Sequence, residues 1–111
     1  MTKEEKVARF QKMNQDIRKG QILCVGSSLM EMFPVEKFVK EEYPGTIIYN
    51  RGIGGYITDE LLEHLDVCVL DLQPSRLFIN IGTNDLSNPD VTIDSLMKKY
   101  DEILCRIEKV I

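Results

Sequence analysis

The sequence is short of the residues that build most metal sites. It has one histidine, so a His-rich zinc site is excluded. Its three cysteines, Cys24, Cys68 and Cys105, lie far apart and form no CxxC pair. Each sits among apolar neighbours, which reads as a reduced, buried core thiol. No apolar run approaches the roughly 18 residues needed to span a bilayer, so no membrane span is expected. The first residues, Met1 to Lys6, are polar and include two acids, unlike a secretory signal. Reduced cysteines and no such signal point to the cytoplasm. Positive charge is also scarce: 14 Lys and Arg stand against 18 Asp and Glu, a formal charge of −4. That argues against a nucleic-acid partner, which calls for a basic face. What remains, in 111 residues that are 43% hydrophobic and 29% charged, fits one soluble domain over 1–111.

The pattern along the chain alternates between helical and strand periods. Residues 2–19 carry Val7, Phe10, Met13 or Asn14, and Ile17 at helical spacing, with Thr2 and Glu5 as a capping box and Gly20 as the stop. Gln21 to Gly26 is an unbroken apolar run, as a strand buried on both faces requires. Residues 35–43 read as a helix with Val35, Phe38, Val39 and Tyr43 inward, and 46–50 as a second strand. Residues 58–71 read as one helix capped by Thr58 or Asp59, with Leu61, Leu62, Leu65 and Val69 inward. A third strand covers 76–82. A last helix covers 92–111, with Ile93, Leu96, Met97, Tyr100, Leu104, Ile107 and Ile111 inward. Strands separated by helices imply right-handed crossovers and a parallel α/β sheet in a three-layer α/β/α, flavodoxin-like arrangement. The strand order expected is 2-1-3.

In such a sheet the chemistry gathers at the carboxyl ends of the strands. Three polar, glycine-bearing segments fall there: Gly26-Ser27-Ser28-Leu29, Asn50-Arg51-Gly52-Ile53-Gly54-Gly55 and Gly82-Thr83-Asn84-Asp85. Each has a plain structural role and a chemical one. Ser27 and Ser28 would cap a helix, or Ser28 would present its oxygen as a nucleophile. The glycine loop fails the dinucleotide fingerprint, because position 57 is Ile and the loop follows the second strand. A loop glycine N–H that donates to an oxyanion suits it better. Asn84 would either make an Asx turn with Asp85 or donate its amide to an oxyanion. Together a hydroxyl and two amide donors are the parts of an acyl-transfer site.

These three blocks, in this order and on these elements, resemble the SGNH hydrolases, also called GDSL-type esterases, lipases and acylhydrolases. The resemblance covers nearly the whole chain. It implies Ser28 as nucleophile, Gly55 and Asn84 as oxyanion donors, a small-molecule ester as substrate and no cofactor or metal. Ser27, Arg51, Gly54 and Asp85 stand beside them as binding residues, Arg51 to meet a substrate anion or to form a structural salt bridge. Met30 and Met32 would line an acyl pocket or pack in the core. Ser27 departs from the family, which carries an acid before the nucleophile. The larger departure is the base: the family's Asp-x-x-His block is absent, since Leu61 stands three residues before His64. His64 is expected on the helix after the second strand, about 9 Å below the catalytic edge, too far to serve Ser28.

The resemblance therefore implies the N-terminal part of a larger domain, and an esterase that is weak or inactive in this chain alone. The other function considered is a non-catalytic interaction or dimerisation module that keeps the scaffold. The third strand, apolar and without Lys or Pro, would be an open edge. A homodimer through that strand or the last helix is expected. Asn80, polar within that strand, is expected to be buried with a hydrogen-bond partner.

Overall fold

A computed structural model describes residues 1–110. Its centre is a parallel sheet of β1 (Ile22–Gly26), β2 (Ile48–Asn50) and β3 (Arg76–Asn80) in the order β2-β1-β3. Ile22 stands opposite both Ile48 and Arg76, and Gly26 opposite Asn80. The middle strand is the most apolar because both its faces are covered: Leu23, Cys24 and Val25 are buried. Helices flank the sheet. They are α1 (Lys3–Met13), α2 (Ser28–Met32), α3 (Val35–Glu42), α4 (Thr58–Glu63), α5 (Leu65–Cys68), α6 (Thr83–Leu86) and α7 (Ile93–Val110). One continuous core joins Val7 and Phe10 of α1 to Leu23 and Val25, to Leu61 and Leu65, and to Ile103 and Ile107 of α7. Each fully buried Leu or Ile there contributes about 1.5–3 kcal/mol of transfer free energy.

Several sequence expectations need correction. The first helix stops at Met13, not at Gly20, because the Asn14 side chain turns inward to donate to the Val67 carbonyl at 2.7 Å. The stretch 58–71 is not one helix. It breaks at His64 and Val69 and closes with a 3-10 turn, Leu70–Leu72. Leu65, Val67, Cys68 and Val69 are all buried, and they would spread around most of a straight helix. The cap of α4 is Ile57, one residue early, because Thr58 is claimed by a carboxylate described below.

Phe38 on α3 and Tyr43 just past its end are exposed, leaving Val35 as the helix's buried residue. On α7, Ile93, Met97 and Leu104 face outward, and Leu96, Ile103 and Ile107 face the core. Ile111 lies outside the described residues. Cys105 is exposed while Cys24 and Cys68 are buried, and all three are free thiols. Asn80 is exposed, so its side chain needs no buried partner; β3 lies at the sheet edge with Phe78 55% exposed. No helix of the described residues is long and apolar enough to cross a membrane.

Candidate functional site

The three strand ends are sewn to one another by short, directional bonds. Ser28 is the first residue of α2 and is exposed. Its neighbour Ser27 is buried, and the Ser27 N–H donates to the Asn80 carbonyl at 3.2 Å. This bond pins the turn after β1 to the end of β3.

The loop after β2 is drawn onto the same turn. The Ile53 N–H donates to the Gly26 carbonyl at 2.9 Å. The Asn50 amide donates to the carbonyls of Met30 (2.7 Å) and Phe33 (3.2 Å), and its oxygen accepts from the Gly52 N–H at 2.9 Å. One carboxamide thus joins the C-terminal end of α2 to the glycine loop. Gly52 is required there by space: a Cβ would overlap the Glu31 backbone. Gly55, at φ +77°, lies in the left-handed region that glycine enters without strain. It is exposed, its carbonyl accepts from Lys3 Nζ at 3.0 Å, and its N–H has no acceptor among the described residues.

The segment after β3 docks on the residues that follow. Asn84 Nδ2 donates to the Tyr56 carbonyl at 3.1 Å, using one of its two N–H bonds. Asp85 is buried, and its carboxylate accepts from the Thr58 N–H at 3.1 and 3.2 Å and from the Thr58 hydroxyl at 2.6 Å. Asp85 is therefore a staple between two loops, and it also borders the cleft beside Asn84. Beside Asn84 opens a cleft of about 160 Å³, lined by Ile57, Thr58, Val91 and Leu96, with the Asp59–Lys99 ion pair on its wall. A wider groove of about 610 Å³ lies among Lys6, Arg9, Glu31, Phe33 and Lys37, and neither Ser28 nor Asn84 lines it.

Arg51 does not fill either role expected of it. It is 1% exposed, so no substrate anion reaches it, and it has no carboxylate partner among the described residues. Its guanidinium donates to Asn14 Oδ1 at 2.9 and 3.3 Å and lies over the rings of Phe10 (5.0 Å) and Tyr49 (5.6 Å). Burial pulls its pKa down from the ordinary value, and the charge of Glu36 offsets only part of that. Asn14, the same residue that ends α1, thereby links α1, α5 and the glycine loop.

His64 is half-buried at the junction of α4 and α5, in a small cleft with Lys3, Glu4, Val7 and Tyr56. That cleft holds neither Ser28 nor Asn84, and the nearest carboxylate is Glu63 at 4.0 Å. Tyr56 is buried with its hydroxyl unpartnered among the described residues, and burial raises the phenol well above its ordinary range. Sequence reasoning missed Lys3, Lys6 and Glu31, and read Thr58 as a helix cap rather than as the partner of Asp85. Nothing local marks them, because their partners are 25 to 57 residues away.

No protein-family model and no curated protein matches the chain. Solved structures do. The fold superposes on a candidate platelet activating factor from Streptococcus pneumoniae with a TM-score of 0.78 and 28% identity, covering 96% of this chain. It superposes on a candidate acylhydrolase from Bacteroides fragilis with a TM-score of 0.75 and 19% identity, covering 92% of this chain. The chain spans about half the length of these relatives, 48% and 51%. The second likeness establishes the fold alone.

Proposed function

We propose that this chain carries the nucleophile and oxyanion half of a serine ester hydrolase of the SGNH type. One observation carries the proposal. Exposed Ser28, the unbonded Gly55 N–H and the spare Asn84 N–H stand on one sheet edge, in segments bonded directly to one another. The likeness to a candidate acylhydrolase supports it at the level of fold.

In this proposal Ser28 Oγ attacks an ester carbonyl and forms a tetrahedral adduct. Gly55 and Asn84 donate to its oxyanion, and the alkoxide leaves to give an acyl-serine that water hydrolyses. Loss of the Ser28 proton needs a base, and His64 is not placed to act as one. The base comes from outside these 111 residues, and this chain by itself keeps only residual activity. A non-catalytic scaffold is the second reading, and His64's position among α1 and α4 residues favours it.

The test is hydrolysis of p-nitrophenyl acetate by the purified chain, with imidazole supplied as an external base. Wild type should show an imidazole-dependent rate above the imidazole blank, and Ser28→Ala should abolish that excess. Asn84→Ala should reduce it by about 10²-fold, as loss of one oxyanion donor does. Equal rates for wild type and Ser28→Ala at every imidazole concentration would favour the scaffold reading. Fast turnover without imidazole would refute the missing base.

A further inference from the structure

The exposed end of α1 reaches the glycine loop with two lysines. Lys6 Nζ lies 2.6 Å from Glu31 Oε1, and Glu31 sits on α2, three residues after Ser28. The other Glu31 oxygen is 3.1 Å from where a Cβ on Gly54 would stand, and Lys6 Nζ is 3.9 Å from the same point. Lys3 Nζ donates to the Gly55 carbonyl at 3.0 Å and to both Glu60 oxygens at 2.8 and 3.0 Å. Glu60 in turn accepts from the Ile57 N–H at 3.1 Å, closing the start of α4.

We propose that Lys3 and Lys6 are positioning residues that clamp the oxyanion loop onto the nucleophile helix, acting through Glu31 and the Gly55 carbonyl. This rests on the ester-hydrolase proposal for its chemical meaning. The Gly54–Gly55 peptide carries the N–H assigned to the oxyanion, and glycines on both sides leave that peptide free to swing. Donors help a transition state only when they are already aimed at it. Lys6 with Glu31 holds the Gly54 side, and Lys3 holds the Gly55 carbonyl, so the peptide is fixed from both ends. The Glu31 carboxylate lies against Gly54 and is held below its ordinary range, by the Lys6 hydrogen bond first and the Gly54 backbone after it. Both ion pairs are partly exposed, with side-chain exposures between 22% and 36%. Pairs this wet add little to global stability, so a defect that leaves stability intact but loosens the loop is the signature of positioning.

The experiment compares wild type with Lys3→Met, Lys6→Met and Glu31→Gln, and with the Lys3→Arg and Lys6→Arg controls. It reads amide hydrogen exchange at Gly54 and Tyr56 by NMR, the thermal midpoint, and the rate at which a fluorophosphonate labels Ser28 with imidazole supplied as base. The methionine and glutamine variants should exchange about tenfold faster at these amides with little change in midpoint. Their labelling of Ser28 should slow by about 10²-fold, the cost of an ångström-scale misplacement. Arginine should restore both readouts. Unchanged loop exchange in both methionine variants overturns the clamp. Faster loop exchange in the methionine variants, with no imidazole-dependent labelling of Ser28 in wild type, supports the clamp and removes the hydrolase proposal it was joined to.

Discussion

Replacing Asp85 with alanine should unfasten the loop after β3 from the start of α4. The carboxylate is 7% exposed and Thr58 is fully buried. Its oxygens take the Thr58 N–H at 3.1 and 3.2 Å and the hydroxyl at 2.6 Å. Alanine would leave a buried N–H and a buried O–H with no acceptor. Each such orphan costs about 1–3 kcal/mol, so the pair should cost about 3 kcal/mol. For a domain of this length that lowers the thermal midpoint by roughly 12–20 °C. Thr58→Val removes only the hydroxyl and should cost about 1.5 kcal/mol. Asp85→Asn keeps an acceptor for the Thr58 N–H and should fall between the two. Urea unfolding followed by far-UV circular dichroism reads all three, and the double variant supplies the coupling, expected near 1–2 kcal/mol. An Asp85→Ala penalty below about 0.5 kcal/mol, the range of ordinary surface changes, would refute the reasoning.

Other expectations follow from burial and charge. Burial pushes the Cys68 thiol up to about 12 and raises Cys24 as well, so both stay protonated at neutral pH. Iodoacetamide should modify Cys105 alone in the native protein and all three cysteines after unfolding; native modification of Cys68, read by mass spectrometry, would contradict the core described above. Glu31 titrates below the ordinary carboxylate value of 4.5 because of Lys6. Its contribution is therefore complete above about 4.5 and is lost as pH falls through the lower folded value. Gly54 amide exchange, corrected for intrinsic rate, should stay flat from neutral pH to that point and rise below it, and the rise should vanish in Glu31→Gln. Arg51→Met and Arg51→Ala both leave Asn14 Oδ1 without its donor, but methionine keeps the apolar stem against Phe10 and Tyr49 where alanine leaves a cavity, so methionine should be milder by about 1–2 kcal/mol by thermal unfolding. The open edge of β3, with Phe78 55% exposed, should drive this 111-residue chain to dimerise at micromolar concentration, and a monomer by light scattering would count against it.

The sheet was legible because its signals are local. The Gln21 to Gly26 run has no polar interruption beyond its first residue, so it fits only a strand covered on both faces, and β1 is that middle strand. Helices between strands then required parallel crossovers, and the order β2-β1-β3 followed. The edge on which Ser28, Gly55 and Asn84 fall was legible for the same reason: each lies in the loop or turn that leaves a strand, within five residues of its end. What stayed hidden depends on long-range partners. Asn14 ends α1 early through Val67 and Arg51, and no nearby residue announces it. Thr58 looks like a helix cap in sequence and is instead a donor to Asp85, 27 residues on. Arg51 looks like a surface cation beside a glycine loop, and only the packed rings of Phe10 and Tyr49 show why it is buried. The outward turn of Met97 and Leu104 on α7 was hidden because apolar spacing marks a helix face without saying how much of that face is covered.

Phosphonylation offers the most direct measurement. The intact chain is incubated with a fluorophosphonate and with imidazole as external base, digested, and each serine's modification is quantified by mass spectrometry, beside Ser28→Ala and Asn84→Ala. The account predicts one adduct, on Ser28, absent from Ser28→Ala and formed about 10²-fold more slowly in Asn84→Ala. Modification spread evenly over the serines, or a Ser28 adduct that forms at the same rate without the Asn84 amide, would contradict it.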